Sequence, residues 1–275
     1  MASVHVTDLS DERLDVFMRL TDHQLRSNVE QGQSLMVVES PFALEVALRT
    51  GAQPVAFLLD ERHAAQMAPL LENAPSEVPI FLATREQMSQ VVGFRVTRGV
   101  MGAFRRPELR SLDEVIAGAR RIAVFEGLVD VTNVGAAFRS AAAFGVDAVL
   151  LDATCADPLA RRSIRVSMGT VLQVPWTRLS AKGECGWPQP VIGHLQKEGF
   201  YVLALALEED ALPLDDPSIA AHDKIALVFG SEGWGISRQT LEACDDAAII
   251  PMASGVDSLN VAAASAVTFW ELRVR

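Results

Sequence analysis

The chain predicts an α/β fold in two units, and three features of the sequence carry that prediction. Short apolar runs alternate with longer amphipathic stretches along its length, the pattern of strands joined by helices. In the second half these runs are unbroken, as in Ile225-Ala226-Leu227-Val228-Phe229, which suits strands covered on both faces. Between the halves, Pro107-Glu108-Leu109-Arg110-Ser111 has the character of a linker. The expected organisation is therefore a unit at 1–106, a linker at 107–111 and a parallel-sheet unit at 112–275.

In the first unit a helix is expected near Asp11–Leu20 after Ser10, a strand at Leu35–Val38 and a helix from Pro41 to Thr50. Pro in the first turn and Gly51 just past the end mark the two ends of that helix. A strand at Val55–Leu59, a helix through Ala64–Leu71, a strand at Ile80–Leu82 and a helix near Glu86–Val92 complete a small α/β layer. In the second unit, strand Ile122–Phe125 precedes a helix over Ala136–Phe144 that Gly145 stops, and strand Asp147–Leu151 follows. Val171–Val174, Val202–Leu207, Ile225–Phe229 and Ala248–Ile250 supply further strands, and Val261–Leu272 closes the chain as a helix.

Composition narrows the function class. At 275 residues the chain suffices for one large or two ordinary domains. Although 49% of it is apolar, no uninterrupted run approaches the ~18 residues of a membrane span. The first residues, Met1-Ala2-Ser3-Val4-His5, lack the basic flank and apolar core of a secretory signal, so a cytoplasmic location is expected. Cys155, Cys185 and Cys244 form neither a disulfide framework nor a Cys-x-x-Cys site. The histidines at 5, 23, 63, 194 and 222 have no ligand spacing, and no metal is expected.

A formal charge of −11 has the wrong sign for tracking phosphates by bulk electrostatics, so any nucleic-acid contact must be local. Lys occurs only at 182, 197 and 224, and the remaining cations are Arg, the better bidentate phosphate partner. Arg95, Arg98, Arg105, Arg106 and Arg110 fall in one stretch with Glu108 the sole acid, and Arg161, Arg162 and Arg165 form a second group. Each group reads either as a phosphate-facing patch or as ordinary solvated surface. The acidic run Glu208-Glu209-Asp210 reads as a solvated loop.

Three segments carry chemistry. They are Asn133-Val134-Gly135 with Arg139, then Gly230-Ser231-Glu232-Gly233-Trp234-Gly235, then Ile250-Pro251-Met252 with Ser258-Leu259-Asn260-Val261. Each follows an expected strand, where open α/β sheets place ligands. None is a Gly-x-Gly-x-x-Gly fingerprint or a phosphate-binding loop ending in Lys-Ser/Thr, so a nucleotide-dependent oxidoreductase lacks its signature.

Together and in this order the segments resemble the three motifs of the SpoU-type (TrmH-like) RNA ribose 2′-O-methyltransferases of the SPOUT superfamily, closely over Arg121 to Glu271. The resemblance implies S-adenosylmethionine as cofactor, RNA as substrate with ribosomal RNA favoured over transfer RNA, and a homodimer. It also implies a deep trefoil knot in the second unit and an N-terminal substrate-binding unit like ribosomal protein L30e. It casts Arg139, Asn133, Glu232, Ser258 and Asn260 as catalytic, and Gly230, Gly233, Ile250, Met252 and Leu259 as cofactor-binding. Arg95, Arg98, Arg105 and Arg106 become the candidate RNA contacts. A non-catalytic RNA-binding or ribosome-assembly factor on the same fold is the alternative.

The chemistry favours such a set. A ribose hydroxyl is a poor nucleophile while neutral, so transfer needs groups that accept its proton or stabilise alkoxide character. Arg139 suits a phosphate clamp that also stabilises the oxyanion, because guanidinium does not give up its proton readily enough to be a base. Structural roles stand beside the catalytic ones. Asn133 could cap a helix beginning at Val134, Glu232 could be a helix-terminal charge and Ser258 could cap the last helix, whereas Asn260 inside an apolar helical turn would need buried partners. Two departures from the family pattern are Val131, where Pro is usual, and Ala262, where a second Ser is frequent.

Overall fold

Backbone groups leave water only in pairs, and among the described residues this chain pairs them in two sheets. The structure, a computed structural model, describes residues 3–18, 34–72, 74–183, 186–253, 255 and 258–274. Two compact units result: Met1–Glu108 with Leu159–Leu172, and Leu109–Pro158 with Gln173–Arg275.

The first unit contains strands β1 (Ser3–His5), β2 (Leu35–Glu39), β3 (Pro54–Asp60), β4 (Ile80–Ala83) and β5 (Val100–Arg105), in the order β1-β4-β3-β5-β2. β4 runs parallel to β1 and β3, while β5 is antiparallel to β2 and β3. Helices α1 (Pro41–Arg49), α2 (Glu61–Leu71) and α3 (Arg85–Val92) begin at the side-chain caps Ser40, Asp60 and Thr84. Two strands escape the sequence pattern. β1 is only three residues long, and β5 carries Gly102, a residue depleted in strands. Packing explains that glycine, since a Cβ at 102 would stand 2.5 Å from Leu44 Cδ1. The helix expected at Asp11–Leu20 is a 3₁₀ helix over Glu12–Phe17, and positions 19–20 lie outside the described residues.

The short helix Arg161–Val166 also belongs to this unit. Its Arg161 donates to the buried Glu39 carboxylate at 2.7 Å and stacks over Phe94.

Among the described residues the second unit holds seven strands, all parallel: β6 (Arg121–Phe125), β7 (Ala148–Leu151), β8 (Trp176–Arg178), β9 (Tyr201–Leu205), β10 (Leu212–Pro213), β11 (Ile225–Phe229) and β12 (Asp246–Ile249). Their order is β10-β12-β9-β11-β6-β7-β8. Helix α4 (Leu112–Ile116) precedes them, and α5 (Val131–Phe144), α6 (Gln189–Lys197), α7 (Pro217–Ala220), α8 (Arg238–Ala243) and α9 (Val261–Glu271) connect or follow them. β6 and β11 lie side by side and are buried along their whole length, as unbroken apolar runs in a parallel sheet should be. The strand expected at Val171–Val174 is instead a 3₁₀ turn, Thr170–Leu172, with the strand following at Trp176. Val171 and Val174 are buried without pairing, and periodicity cannot separate a short buried turn from a strand.

The first motif's helix begins at Val131, five residues before the expected Ala136 and three before Val134, the start that an Asn133 cap would require. Asp130 is its cap, accepting from the backbone N–H groups of Thr132 and Asn133, so Asn133 lies inside the first turn rather than capping it. Val131 is the first helical residue, the position where Pro is best tolerated, so the departure from Pro noted there leaves the helix start intact. The closing helix α9 packs along α5. Arg121 fixes its far end: the guanidinium donates to the carbonyls of Leu272, Asp223 (2.7 Å) and Arg120 (3.0 Å), and burial lowers the pKa of that group.

Candidate active site

From β6 the chain proceeds to β7 on one side of the sheet, whereas from β11 it proceeds to β12 on the other. Adjacent strands whose connections diverge leave a crevice at their carboxyl ends, the general ligand position of open α/β sheets. Here the cavity lies at the carboxyl ends of β9, β11 and β12, with a volume of about 800 Å³. That is ample for a nucleoside-sized ligand.

Of the sequence-predicted residues, Gly230, Gly233, Ile250, Met252 and Leu259 all line this cavity, together with Glu232, Ser258 and Asn260. The turn after β11 is closed by two backbone hydrogen bonds, Ser231 N to Gly235 O (2.9 Å) and Gly235 N to Ser231 O (3.0 Å). A Cβ on Gly230 would stand 2.2 Å from the Gly235 carbonyl carbon, so this glycine serves the turn's own closure rather than only a ligand's approach. Gly233 faces open space. Glu232 sits in the turn and not at a helix end, so the helix-charge reading of it does not hold.

Asn133 does not line the cavity but joins two residues that do. Its amide Nδ2 donates to Glu232 Oε1, and its Oδ1 accepts from Asn260 Nδ2 at 3.2 Å. Asn260 in turn is the cap of α9, its Oδ1 accepting from Ala262 N at 2.9 Å. It is exposed rather than buried in a helical turn, and the cap is Asn260, not Ser258. Three residues, one from each motif, thus form one hydrogen-bonded chain.

Arg139 stands apart. It lies six residues beyond Asn133, ~9 Å along the helix and on another face. It is exposed, and among the described residues it has no hydrogen bond or ion pair. The expected Arg patch also divides. Arg95 and Arg98 precede β5 and Arg105 ends it, so the strand separates the two groups by ~20 Å. Arg106 Nε is bonded to Leu35 O at 2.7 Å and is half-buried, whereas Arg95, Arg98 and Arg105 are exposed.

Sequence reasoning missed Leu205, Leu207 and Glu208, which line the cavity from the end of β9. The strand-end rule that located the motifs would have found them too. It also missed Glu126, for which no pattern signals. The Glu126 carboxylate accepts from Ser237 N (3.0 Å), Trp187 Nε1 (2.9 Å) and Thr240 Oγ1 (2.5 Å), and so anchors the exit of the glycine turn to the end of β6.

Residues 120–270 match the model of the SpoU rRNA Methylase family. An uncharacterized tRNA/rRNA methyltransferase of Mycobacterium bovis is 38% identical over 97% of this chain and 90% of its own length. A 23S rRNA (guanosine-2′-O-)-methyltransferase of Escherichia coli is 29% identical over 78% of this chain and 87% of its own. The crystal structure of an AdoMet-bound rRNA methyltransferase from Sinorhizobium meliloti superposes with a TM-score of 0.82 at 20% identity, covering 98% of this chain and 97% of that one.

Proposed function

This chain belongs to the SpoU rRNA Methylase family, and from that premise we propose that it transfers a methyl group from S-adenosylmethionine to a ribose 2′-hydroxyl in RNA, ribosomal RNA before transfer RNA. The observation that carries the reading is the Glu232–Asn133–Asn260 chain bordering the cavity at the strand ends.

The residues present fit the cofactor. Ile250, Met252 and Leu259 give apolar walls for an adenine, and the open face of the glycine turn leaves room for a ligand against backbone. S-adenosylmethionine would supply an electrophilic methyl group on a sulfonium. The protein's task is to hold the acceptor hydroxyl in line and take its proton, and positioning alone can contribute ~7–11 kcal/mol. Of the two carboxylates at the cavity, Glu208 is paired with Arg238 and Glu232 is held by Asn133, and we assign the proton to Glu232. Asn260 and Ser258 then orient the hydroxyl. Arg139, exposed, away from the cavity and without a protein partner among the described residues, has the role of a clamp on an RNA phosphate.

Residues 1–106 act in this reading as the RNA-binding unit, of L30e type, joined through 107–111 to a methyltransferase unit whose C-terminal segment forms a trefoil knot. The enzyme works in the cytoplasm as a twofold dimer. The exposed stripe Val267 and Trp270 on α9 supports that assembly, while Phe269 and Leu272 are taken up within their own unit. A second copy would bring a further Arg139 to the RNA face.

The test is a methyl-transfer assay with labelled S-adenosylmethionine and unmodified ribosomal RNA, with calorimetry on the cofactor. Binding of S-adenosylmethionine but not NAD, and label recovered in 2′-O-methylated nucleoside, is the expected result. Cofactor binding without transfer to any RNA would favour the non-catalytic alternative, and a monomer in light scattering at micromolar concentration would refute the dimer.

A further inference from the structure

Trp234 is 95% exposed, more than any other large apolar residue among those described. Its place is unusual for such a ring. It stands at the tip of the glycine turn, two residues beyond Glu232, and lines the same cavity. Leu207 and Leu259, themselves 58% and 42% exposed, also border that cavity, so apolar surface gathers at the site rather than being scattered.

The turn that carries the ring is held on several sides. Besides the two backbone bonds between Ser231 and Gly235, the Trp234 N–H donates to Ser231 Oγ at 3.2 Å. On its other flank, Ser231 Cβ lies 3.2 Å from where a Cβ on Gly127 would stand. An indole on such a support loses little freedom when something stacks on it. The ring makes no aromatic or cation–π contact among the described residues, whereas Trp176 and Trp270 both do.

We infer that Trp234 is a stacking platform for the nucleobase of the nucleotide whose ribose is methylated. The inference rests on the reading of the site as an RNA ribose methyltransferase. Proximity supports it: the base is one glycosidic bond from the ribose, so a hydroxyl placed at Glu232 carries its base into the neighbourhood of residue 234. Sequence-specific and single-stranded RNA recognition relies on unstacked bases laid on aromatic rings. A flat apolar face tolerates every base, so Trp234 would extract and hold the nucleotide while other groups select it. The adenine of the cofactor has its own apolar walls in Ile250 and Met252, which follow the end of β12.

The experiment compares the full-length wild type with Trp234→Ala and Trp234→Phe on large-subunit ribosomal RNA transcribed without modification. An exposed position leaves folding intact in both variants. Expected for Trp234→Ala is a rise of about 5- to 100-fold in KM for RNA, the effect of losing one base–aromatic stack, with calorimetric affinity for S-adenosylmethionine unchanged. Trp234→Phe should recover most of that affinity. Indole emission of the wild type should be quenched by the RNA, and Trp234→Phe should lose that quench. A wild-type KM for RNA in Trp234→Ala would overturn the inference. So would weakened cofactor affinity, which would make the ring a cofactor cover, or a change of mass in light scattering, which would make it a subunit contact. Should the wild type transfer no methyl group to RNA, the underlying reading falls, and the emission measurement still decides whether the ring meets RNA.

Discussion

The amide groups at the site have a direction, and a helix sets it. Because Ala262 N–H can only donate, Asn260 must present Oδ1 to it and Nδ2 to Asn133. Asn133 must then present its own Nδ2 to Glu232, which is left as an acceptor. Glu232→Gln keeps an acceptor oxygen in that place and removes only the charge. We expect the variant to retain stability and cofactor affinity while single-turnover methylation falls by ~10²-fold or more, the scale of losing a general base. An unchanged single-turnover rate would remove Glu232 from proton transfer. The two glycines of the turn separate pocket from fold in the same way. Gly233→Leu projects into open space beside the cavity and should weaken cofactor binding about tenfold or more by filling it. Gly230→Ala collides with the backbone of Gly235 and Ile236 and should lower the melting temperature. Equal calorimetric affinity in Gly233→Leu and wild type would place the cofactor elsewhere.

At the scale of elements, the long apolar strands and the glycine-stopped helices were legible because burial on both faces and a left-handed cap each leave a mark in composition. Gly145, at φ 72, ends α5 as its position in the sequence suggests. The three motifs each follow an expected strand, and their resemblance to a family's motifs made them legible as a site. β5 was not, because the glycine that lets it pack against Leu44 also weakens its strand signature. Overlooking that strand joined two groups of arginines that it holds apart. Neighbours in sequence are therefore not one patch. If RNA lies along one end of the sheet, Arg95→Ala with Arg98→Ala and Arg105→Ala alone should differ in their effect. We expect one of the two to lower the salt slope of RNA binding by about one unit for each phosphate no longer neutralised, with the other near wild type. Equal reductions from both would mean that the RNA spans the whole strand. The closure of Asn133, Glu232 and Asn260 into one chain was likewise beyond the sequence, since it depends on β6 and β11 being neighbours, and order in a sheet leaves no local trace.

At the scale of the molecule, the first unit is not one continuous piece of chain. It is completed by Leu159–Leu172, whose Arg161 meets a Glu39 carboxylate that is only 2% exposed. Protein synthesis runs in one direction, and domains tend to fold as they emerge. Until the segment that covers β2 and neutralises Glu39 has left the ribosome, residues 1–108 hold that carboxylate on an uncovered edge strand. Once the pair is buried, removing one partner costs about 3–5 kcal/mol. The substitution Glu39→Gln should consequently act differently in two settings. It should destabilise the full chain against urea and leave the isolated fragment 1–108 nearly unchanged, and an equal loss in both would show that Arg161 is not what the carboxylate waits for. The nascent N-terminal unit is thus held short of its final stability by a partner encoded some fifty residues downstream of its own end, so that its maturation is timed by translation rather than by its own sequence.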